Sequence, residues 1–269
     1  MTAKPTELQR EHLLPLRFSS PGNRPIGPVT VPTLVEKAHE HLVLMLMSME
    51  IPPGARIPID TVARSLGISQ TPVREALSRL EAEGLVTKAP NVGYRASAQM
   101  TRKEVNDLFV MRTLIEPYAA ARAAETMDAD MLRLVAEIGE EMAQIQGAAS
   151  GVVYARFADA DATLHRLVTE GSGNKLIADA IERLHIHLHL FRFLYNTNAP
   201  EEAASEHSRI IQALLARDPA QAETAMRDHL EKSRLRMDEA LGRLDYRGKP
   251  RTASARATPA APAKSRKRK

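Results

Sequence analysis

Thr61-Val62-Ala63-Arg64-Ser65-Leu66-Gly67-Ile68-Ser69-Gln70-Thr71-Pro72-Val73-Arg74-Glu75-Ala76-Leu77 reads as a helix, a tight turn and a second helix. Thr61 to Leu66 predicts a short helix and Gly67 to Gln70 the turn, with Gly67 supplying the positive φ that such turns need. Thr71 is placed to cap the second helix. Pro72 at its first position loses no hydrogen bond, because that N–H has no helical partner and the fixed φ suits a helix start. Val73, Ala76, Leu77 and Leu80 recur at i, i+3, i+4 and i+7, a stripe that packs inward and leaves Arg74, Ser78 and Arg79 outward. Further on, Leu85-Val86-Thr87-Lys88 and Val92-Gly93-Tyr94-Arg95, joined by Ala89-Pro90-Asn91, predict a short hairpin. Two helices followed by such a wing describe a winged helix-turn-helix.

The alternative is a helical hairpin that merely packs. Turn, cap, stripe and wing all agree on the first reading, and agreement across levels is what separates a motif from a coincidence. An outward Arg74 on a helix that fits the major groove can bond guanine O6 and N7, whereas Lys88 and Arg95 can reach phosphates without reading sequence. Arg64, on the preceding helix, joins them as an expected DNA contact.

The stretches Ile51-Pro52-Pro53-Gly54-Ala55-Arg56-Ile57, Val62-Ala63, Leu66 to Leu77, and Leu80-Glu81-Ala82-Glu83-Gly84-Leu85-Val86 resemble the DNA-binding domain of GntR-family transcriptional regulators. The resemblance implies DNA contacts from the turn, the start of the recognition helix and the wing glycine, here Ser69, Gln70, Thr71, Arg74 and Gly93. One departure stands out: the family usually has Arg where this chain has Gln70. Glutamine prefers adenine, so either the operator differs at that base pair or Gln70 touches only backbone.

A length of 269 residues suggests two domains flanked by tails. The expected organisation is a flexible arm over 1–29, the winged helix over 30–98, an all-helical domain over 99–246 and a basic tail over 247–269. The tail carries nine basic and no acidic residues, so the net charge of +4 is largely its doing. Such a tail cannot bury a core; it either adds salt-sensitive, sequence-independent affinity for DNA or merely aids solubility. The absence of cysteine excludes disulfides and thiolate metal sites and fits a reducing cytoplasm. The apolar run at Leu42 to Met47 is too short to span a bilayer and the polar N-terminus does not read as a signal peptide, so a cytoplasmic protein without membrane contact is expected.

Six helices can be laid out beyond the wing: Arg102 to Met127, Asp128 to Gln146, Val152 to Glu170, Asn174 to Asn196, Pro200 to Arg217 and Pro219 to Leu244. Thr101, Asp128 and Asp218 are placed as caps, and Gly147, Gly151, Gly171, Gly173 and Pro200 punctuate them. The fold class expected is therefore mainly α: an N-terminal winged helix-turn-helix and a C-terminal antiparallel bundle of about six helices.

Polar residues on the apolar stripes of that bundle call for an explanation. Phe157, Asp161, Leu164, His165 and Val168 share a face, so Asp161 and His165 stand one turn apart and point inward together. His207 lies on the stripe of Ile210, Ile211 and Leu214, and His229 on that of Ala222, Ala225, Met226 and Ser233. Burying a carboxylate and three imidazoles is costly unless something pairs them. A divalent metal does so, and Asp at i with His at i+4 fits two ligands onto one ion. Taken singly each histidine is more often a satisfied core residue, and periodicity alone leaves both readings open.

The patterns Asp161-Ala162-Thr163-Leu164-His165, Gly173-Asn174, Glu206-His207 with Ile210, and Met226 to His229-Leu230 are similar to the effector domain of the FCD subfamily of GntR regulators. The resemblance implies an antiparallel helical bundle that in many members holds a metal with one Asp and three His, here Asp161, His165, His207 and His229. Leu164 departs from the Phe that commonly precedes the histidine, which should affect packing and not ligation. Zinc suits imidazoles with one carboxylate, with nickel, manganese or iron as alternatives.

Arg112, on the stripe of Val105, Leu108, Phe109, Ile115 and Ala119, needs an anion. It finds one either in Glu116 one turn away or in the carboxylate of a small ligand, which a guanidinium matches bidentately; in FCD proteins an arginine in such an Arg-x-x-x-Glu pattern is often near the effector. In the run His185-Ile186-His187-Leu188-His189, His185 and His189 are one turn apart, but no carboxylate accompanies them. With Arg192 they are placed either to rim an effector cavity or as boundary residues.

The function expected is a ligand-responsive transcriptional regulator, a repressor and a homodimer, reading a roughly palindromic double-stranded operator and answering to a small carboxylate metabolite. Two other classes compete. A metal-dependent hydrolase would use the same ion to activate water, but no further carboxylate or histidine on these stripes is placed as a base. A ligand-independent architectural DNA binder would depend on the basic tail and show a steep salt slope.

Overall fold

The computed structural model describes residues 32–90, 92–144, 151–184, 186–194, 197 and 199–248. The expected arm 1–29 lies outside these residues, as do Asn91, Gly147, His185 and the basic tail beyond Gly248. Among the described residues the chain forms ten helices and one two-stranded hairpin, so it is mainly α.

The N-terminal region runs α1 (Leu34–Met47), α2 (Ile59–Leu66), α3 (Gln70–Ala82), β1 (Val86–Ala89) and β2 (Gly93–Ala96). The strands pair antiparallel with Lys88 opposite Tyr94 and Ala89 opposite Gly93, making the expected wing. Val73, Ala76, Leu77 and Leu80 are all fully buried, and each such Val or Leu stabilises the fold by about 1.5–3 kcal/mol relative to exposure. Helix α1 is not among the helices read from the sequence. Its start is nonetheless written there: Thr33 accepts from the Glu36 backbone while the Glu36 side chain reaches back to the Thr33 N–H, a capping box.

Thr71 is not the cap of the second helix. Gly67, at φ +65°, ends α2 in the left-handed region. The chain has turned by Ser69, which takes the extended N-cap conformation at φ −74° and ψ 166°. Helix α3 therefore starts at Gln70, and Thr71 and Pro72 are its second and third residues. Pro72 still lies in the first turn, where a missing N–H leaves no helical hydrogen bond unmade.

The C-terminal region comprises α4 (Arg102–Thr126), α5 (Ala129–Gln144), α6 (Gly151–Gly171), α7 (Lys175–Arg183), α8 (Ile186–Leu194), α9 (Ala199–Leu215) and α10 (Pro219–Gly248). Thr101 closes a capping box with Glu104, Asp128 accepts from the Met131 N–H and Asp218 from the Gln221 N–H, so all three expected caps act. The single helix expected over Asn174 to Asn196 is instead two, α7 and α8. The reason lies in burial: Leu184 is partly exposed, whereas Ile186, Leu190, Phe191, Arg192, Phe193 and Leu194 are all buried, so α8 sits inside the core and cannot continue the surface course of α7. Helix α10 also runs past Leu244 to Gly248, into the first two residues of the expected tail.

Helix α4 packs along α10 and α6, α9 packs on α10 and α5, and α1 touches both α3 and the bundle helices α6 and α8. The winged helix therefore leans on the bundle through α1. Among the described residues no helix is long and apolar enough to cross a membrane.

Candidate metal centre and recognition face

Three helices bring the four inward polar residues together. Asp161 and His165 come from one face of α6, His207 from α9 and His229 from α10; one ligand atom from each lies within 4.8 Å of those of the other three, and all four residues are buried. The His207 and His229 rings have centroids 4.4 Å apart. His207 Nε2 approaches Asp161 Oδ1 at 3.1 Å, but out of line for a hydrogen bond, and both His207 ring nitrogens are buried with no hydrogen-bond partner. Leaving buried polar atoms unmet costs about 1–3 kcal/mol each. The donor set of one carboxylate oxygen and three imidazole nitrogens fits a borderline divalent cation.

Around the four stand residues that set their orientation and charge. His165 Nδ1 is 2.5 Å from Glu116 Oε2, and His229 Nδ1 is 2.9 Å from Glu206 Oε2. A carboxylate only accepts, so each Nδ1 carries the proton and each Nε2 is left as the basic atom. Glu206 is in turn gripped by Arg236, Nη1 to Oε1 at 2.7 Å and Nη2 to Oε2 at 2.9 Å. Burial works to raise both carboxyls. For Glu206 the hydrogen bonds from Arg236 and His229 outweigh it and hold the group at about 2; for Glu116 the charge of Arg112 and the close contact with His165 hold it far below the usual carboxylate range. Burial, then the neighbouring His207, pushes His229 down to about 3. Neutral imidazole beside ionised carboxylates is the protonation state that metal ligation requires.

Arg112 has its anion inside the protein. Its Nε donates to Glu116 Oε1 at 2.5 Å, and the pair is almost wholly enclosed. It also borders a cavity of about 20 Å³ beside the cluster, shared with Asp161, His229, Ser233 and Arg236. That volume holds about one water or ion and no larger molecule.

Arg192 and His189 face elsewhere. The Arg192 Nη2 donates to the Ser97 carbonyl at 2.9 Å and Gln99 Nε2 donates to the Arg192 carbonyl at 3.2 Å, both in the segment that joins the wing to α4. His189 Nε2 would lie 3.4 Å from a Cβ added at Gly84, just past α3. The two residues thus mark the junction between winged helix and bundle, not the rim of the cavity beside the cluster; His185 lies outside the described residues.

On the winged helix the expected DNA contacts Arg64, Ser69, Gln70, Thr71, Arg74, Lys88 and Arg95 are all exposed. Gln70 Nε2 donates to Asp60 Oδ1, and Arg74 Nη2 donates to Gln70 Oε1 at 3.1 Å, so the glutamine bridges α2 and the recognition helix. Ser69 makes no capping bond, which leaves its hydroxyl to the surface. Gly93 turns the wing at φ +96°. Arg95 Nη1 is tied to the Gly54 carbonyl at 2.8 Å and must release it to reach a phosphate.

Sequence reasoning placed Glu206 in the FCD-like pattern without giving it a role, and passed over Arg236. Both carried a signal: Glu206 stands three residues after Ala203 and four before Ile210, and Arg236 continues the face of His229 and Ser233. Each is a charge on a stripe position.

Comparison with known proteins places this architecture. Residues 34–95 match the family described as bacterial regulatory proteins, gntR family, and residues 107–232 match the FCD domain. The HTH-type transcriptional repressor GlaR of Escherichia coli is 30% identical over 186 residues, covering 65% of this chain and 81% of that protein. The chain belongs to the GntR family. It is a transcriptional regulator of the GntR/FCD type. Another relative, a probable D-xylose utilization operon transcriptional repressor of Paenarthrobacter nicotinovorans, is 29% identical over 203 residues, covering 75% of this chain and 88% of that one. The structure of E. coli McbR/YncC shares the fold, with a TM-score of 0.60 at 21% identity over 78% of this chain and 99% of that one. GntR regulators bind DNA operators and usually act as dimers, and the names of this regulator's relatives describe DNA-binding regulators, not enzymes.

Proposed function

We propose that this GntR regulator is a homodimeric, cytoplasmic repressor whose bundle holds one divalent metal, zinc first among the options, and whose affinity for a roughly palindromic operator answers to a small carboxylate. The convergence of Asp161, His165, His207 and His229, with both nitrogens of His207 buried and without a hydrogen-bond partner, is the observation that supports the metal. When bound, the ion supplies the positive charge that Asp161 and the three imidazole lone pairs call for. Glu116 and Glu206 hold the His165 and His229 rings in the ligating tautomer. Ser69, Gln70, Thr71 and Arg74 at the turn and the start of α3 are the proposed groove contacts, Arg64, Lys88 and Arg95 the proposed phosphate contacts, and Gly93 gives the wing its close approach.

The ligand acts on DNA only as far as it prefers one arrangement of the two winged helices over the other. Helix α1, touching both α3 and the bundle, and the Arg192–Ser97 contact are the links through which such a preference can travel. Elemental mass spectrometry on purified wild type beside an Asp161→Ala, His165→Ala variant tests the metal. About one ion per chain, lost in the variant, is expected; wild type without an ion even after reconstitution reduces the four residues to a buried polar network.

A further inference from the structure

The small cavity beside the cluster does not stand alone. An open surface depression of about 240 Å³ lies against it, and Leu194, Ala199 and Arg236 line both. Its volume falls just below the roughly 300–1,000 Å³ of small-molecule sites, which suits a small metabolite. Glu202, Glu239 and Arg243 complete its rim. The inner cavity reaches Asp161 and His229 of the cluster, and among the described residues that line both spaces the only charged one is Arg236.

We infer that this depression is the way in for the carboxylate effector and that Arg236, not Arg112, receives it. The inference rests on the metal-and-carboxylate reading above and adds the residue and the route. Arg112 is a poor receiver. It is 2% exposed, its guanidinium is taken up by Glu116, and removing that partner would strand a charge that is itself wholly buried. Arg236 keeps 14% of its side chain exposed and offers five N–H groups, of which Glu206 takes one on each terminal nitrogen, while Glu202 Oε2 on the rim stands 3.7 Å from Nη1, an exposed partner that an incoming carboxylate has to displace. The remaining donors can then receive that carboxylate without Glu206 leaving.

Glu206 makes this contact consequential. It joins Arg236 on one side to His229 Nδ1 on the other, so a ligand that draws charge from Arg236 alters the anion that orients a residue of the cluster. Arg236 is therefore both receiver and relay. Ser233, one turn before it on α10 and bordering the inner cavity, offers a hydroxyl along the same path.

Calorimetric titration of acetate, succinate and citrate into the full-length, metal-loaded protein tests the proposal, with metal content and melting temperature recorded for every variant. At least one probe binds wild type, and Arg236→Gln weakens it by about tenfold or more, as loss of a charge-assisted hydrogen bond does, while one ion per chain is retained. Arg243→Gln on the rim changes it less. Should Arg236→Gln fail to fold, Arg236→Lys, which keeps the charge and loses the fork, carries the test with an intermediate loss. Equal affinity in wild type and both Arg236 variants, or no heat from any probe with metal-loaded wild type, overturns the assignment while the metal reading stands. Wild type without a bound ion overturns the earlier reading, and this one with it.

Discussion

The polar side chains of the two halves are held in opposite ways. On the recognition face Asp60, Gln70 and Arg74 are exposed yet bonded to one another in a row. In the bundle His207 is fully buried, yet neither of its ring nitrogens has a hydrogen-bond partner. Water can replace a partner on the surface, so bonds there are exchangeable and can be traded for bonds to DNA. No such replacement exists for a buried nitrogen, and an unmet one marks a place where something else belongs. A control lies within the same chain: His39 on α1 is also buried, but its Nε2 meets both oxygens of Glu83 at 3.0 and 3.1 Å. Burial of a histidine is therefore not what singles out the cluster; incompleteness is.

Removing metal should break the comparison most strongly. A ligand present at 1,000 times its dissociation constant stabilises the folded state by about 4 kcal/mol, which in a chain of this size is roughly 10 °C of melting temperature. Chelator added to wild type should produce a fall of that order, followed by calorimetry or circular dichroism, and chelator added to His207→Ala should produce none. Glu83→Ala should destabilise by about 1–3 kcal/mol through its stranded histidine yet keep the full chelator response. A chelator effect that survives in His207→Ala would dissolve the distinction between the two sites.

The two halves also differed in how much of them could be read in advance. Periodicity put Asp161, His165, His207 and His229 on inward faces because a helix repeats every 3.6 residues whatever its surroundings. It could not say that α6, α9 and α10 would bring those faces to one point, which depends on packing between helices. The resemblance to FCD proteins supplied that step. The pairing of Glu206 with Arg236 went unread for the same reason, since its meaning lies in a contact thirty residues apart. The break between α7 and α8 was hidden because no glycine, proline or cap marks it; the demand for buried surface around Phe191 and Phe193 decides it. Thr71 was misplaced by two residues because Ser69 and Thr71 are both competent caps, and only the tight turn at Gly67 chooses between them.

On the recognition face the expected effects are smaller and act on DNA affinity alone. Arg74→Ala should cost about 1–3 kcal/mol of operator binding, measured by fluorescence anisotropy at fixed salt, with no change in chelator response. Loss of the metal effect in this variant would mean that the recognition face and the cluster are coupled through α1 and the Arg192–Ser97 contact more tightly than this expectation allows.

Gln70 gives the finest test. If it reads a base, Gln70→Ala relaxes preference at one base pair and leaves the requirement for Arg74 intact. If its part is to hold Arg74, as the bond from Arg74 Nη2 to Gln70 Oε1 implies, the loss should be about that of one exposed hydrogen bond, ~1 kcal/mol. It should also be largely absent in an Arg74→Ala background, because partners in one network do not add. Asp60→Ala should then reproduce part of the Gln70 effect, since Asp60 fixes which end of the amide faces the arginine. A double-mutant cycle on operator affinity measures this directly: a coupling near zero assigns Gln70 to the base, and a coupling equal to its single-mutant loss assigns it to Arg74. In the second case the exposed row, like the cluster in the bundle, works through residues that set the geometry of their neighbours, with the difference that on the surface the arrangement is already complete.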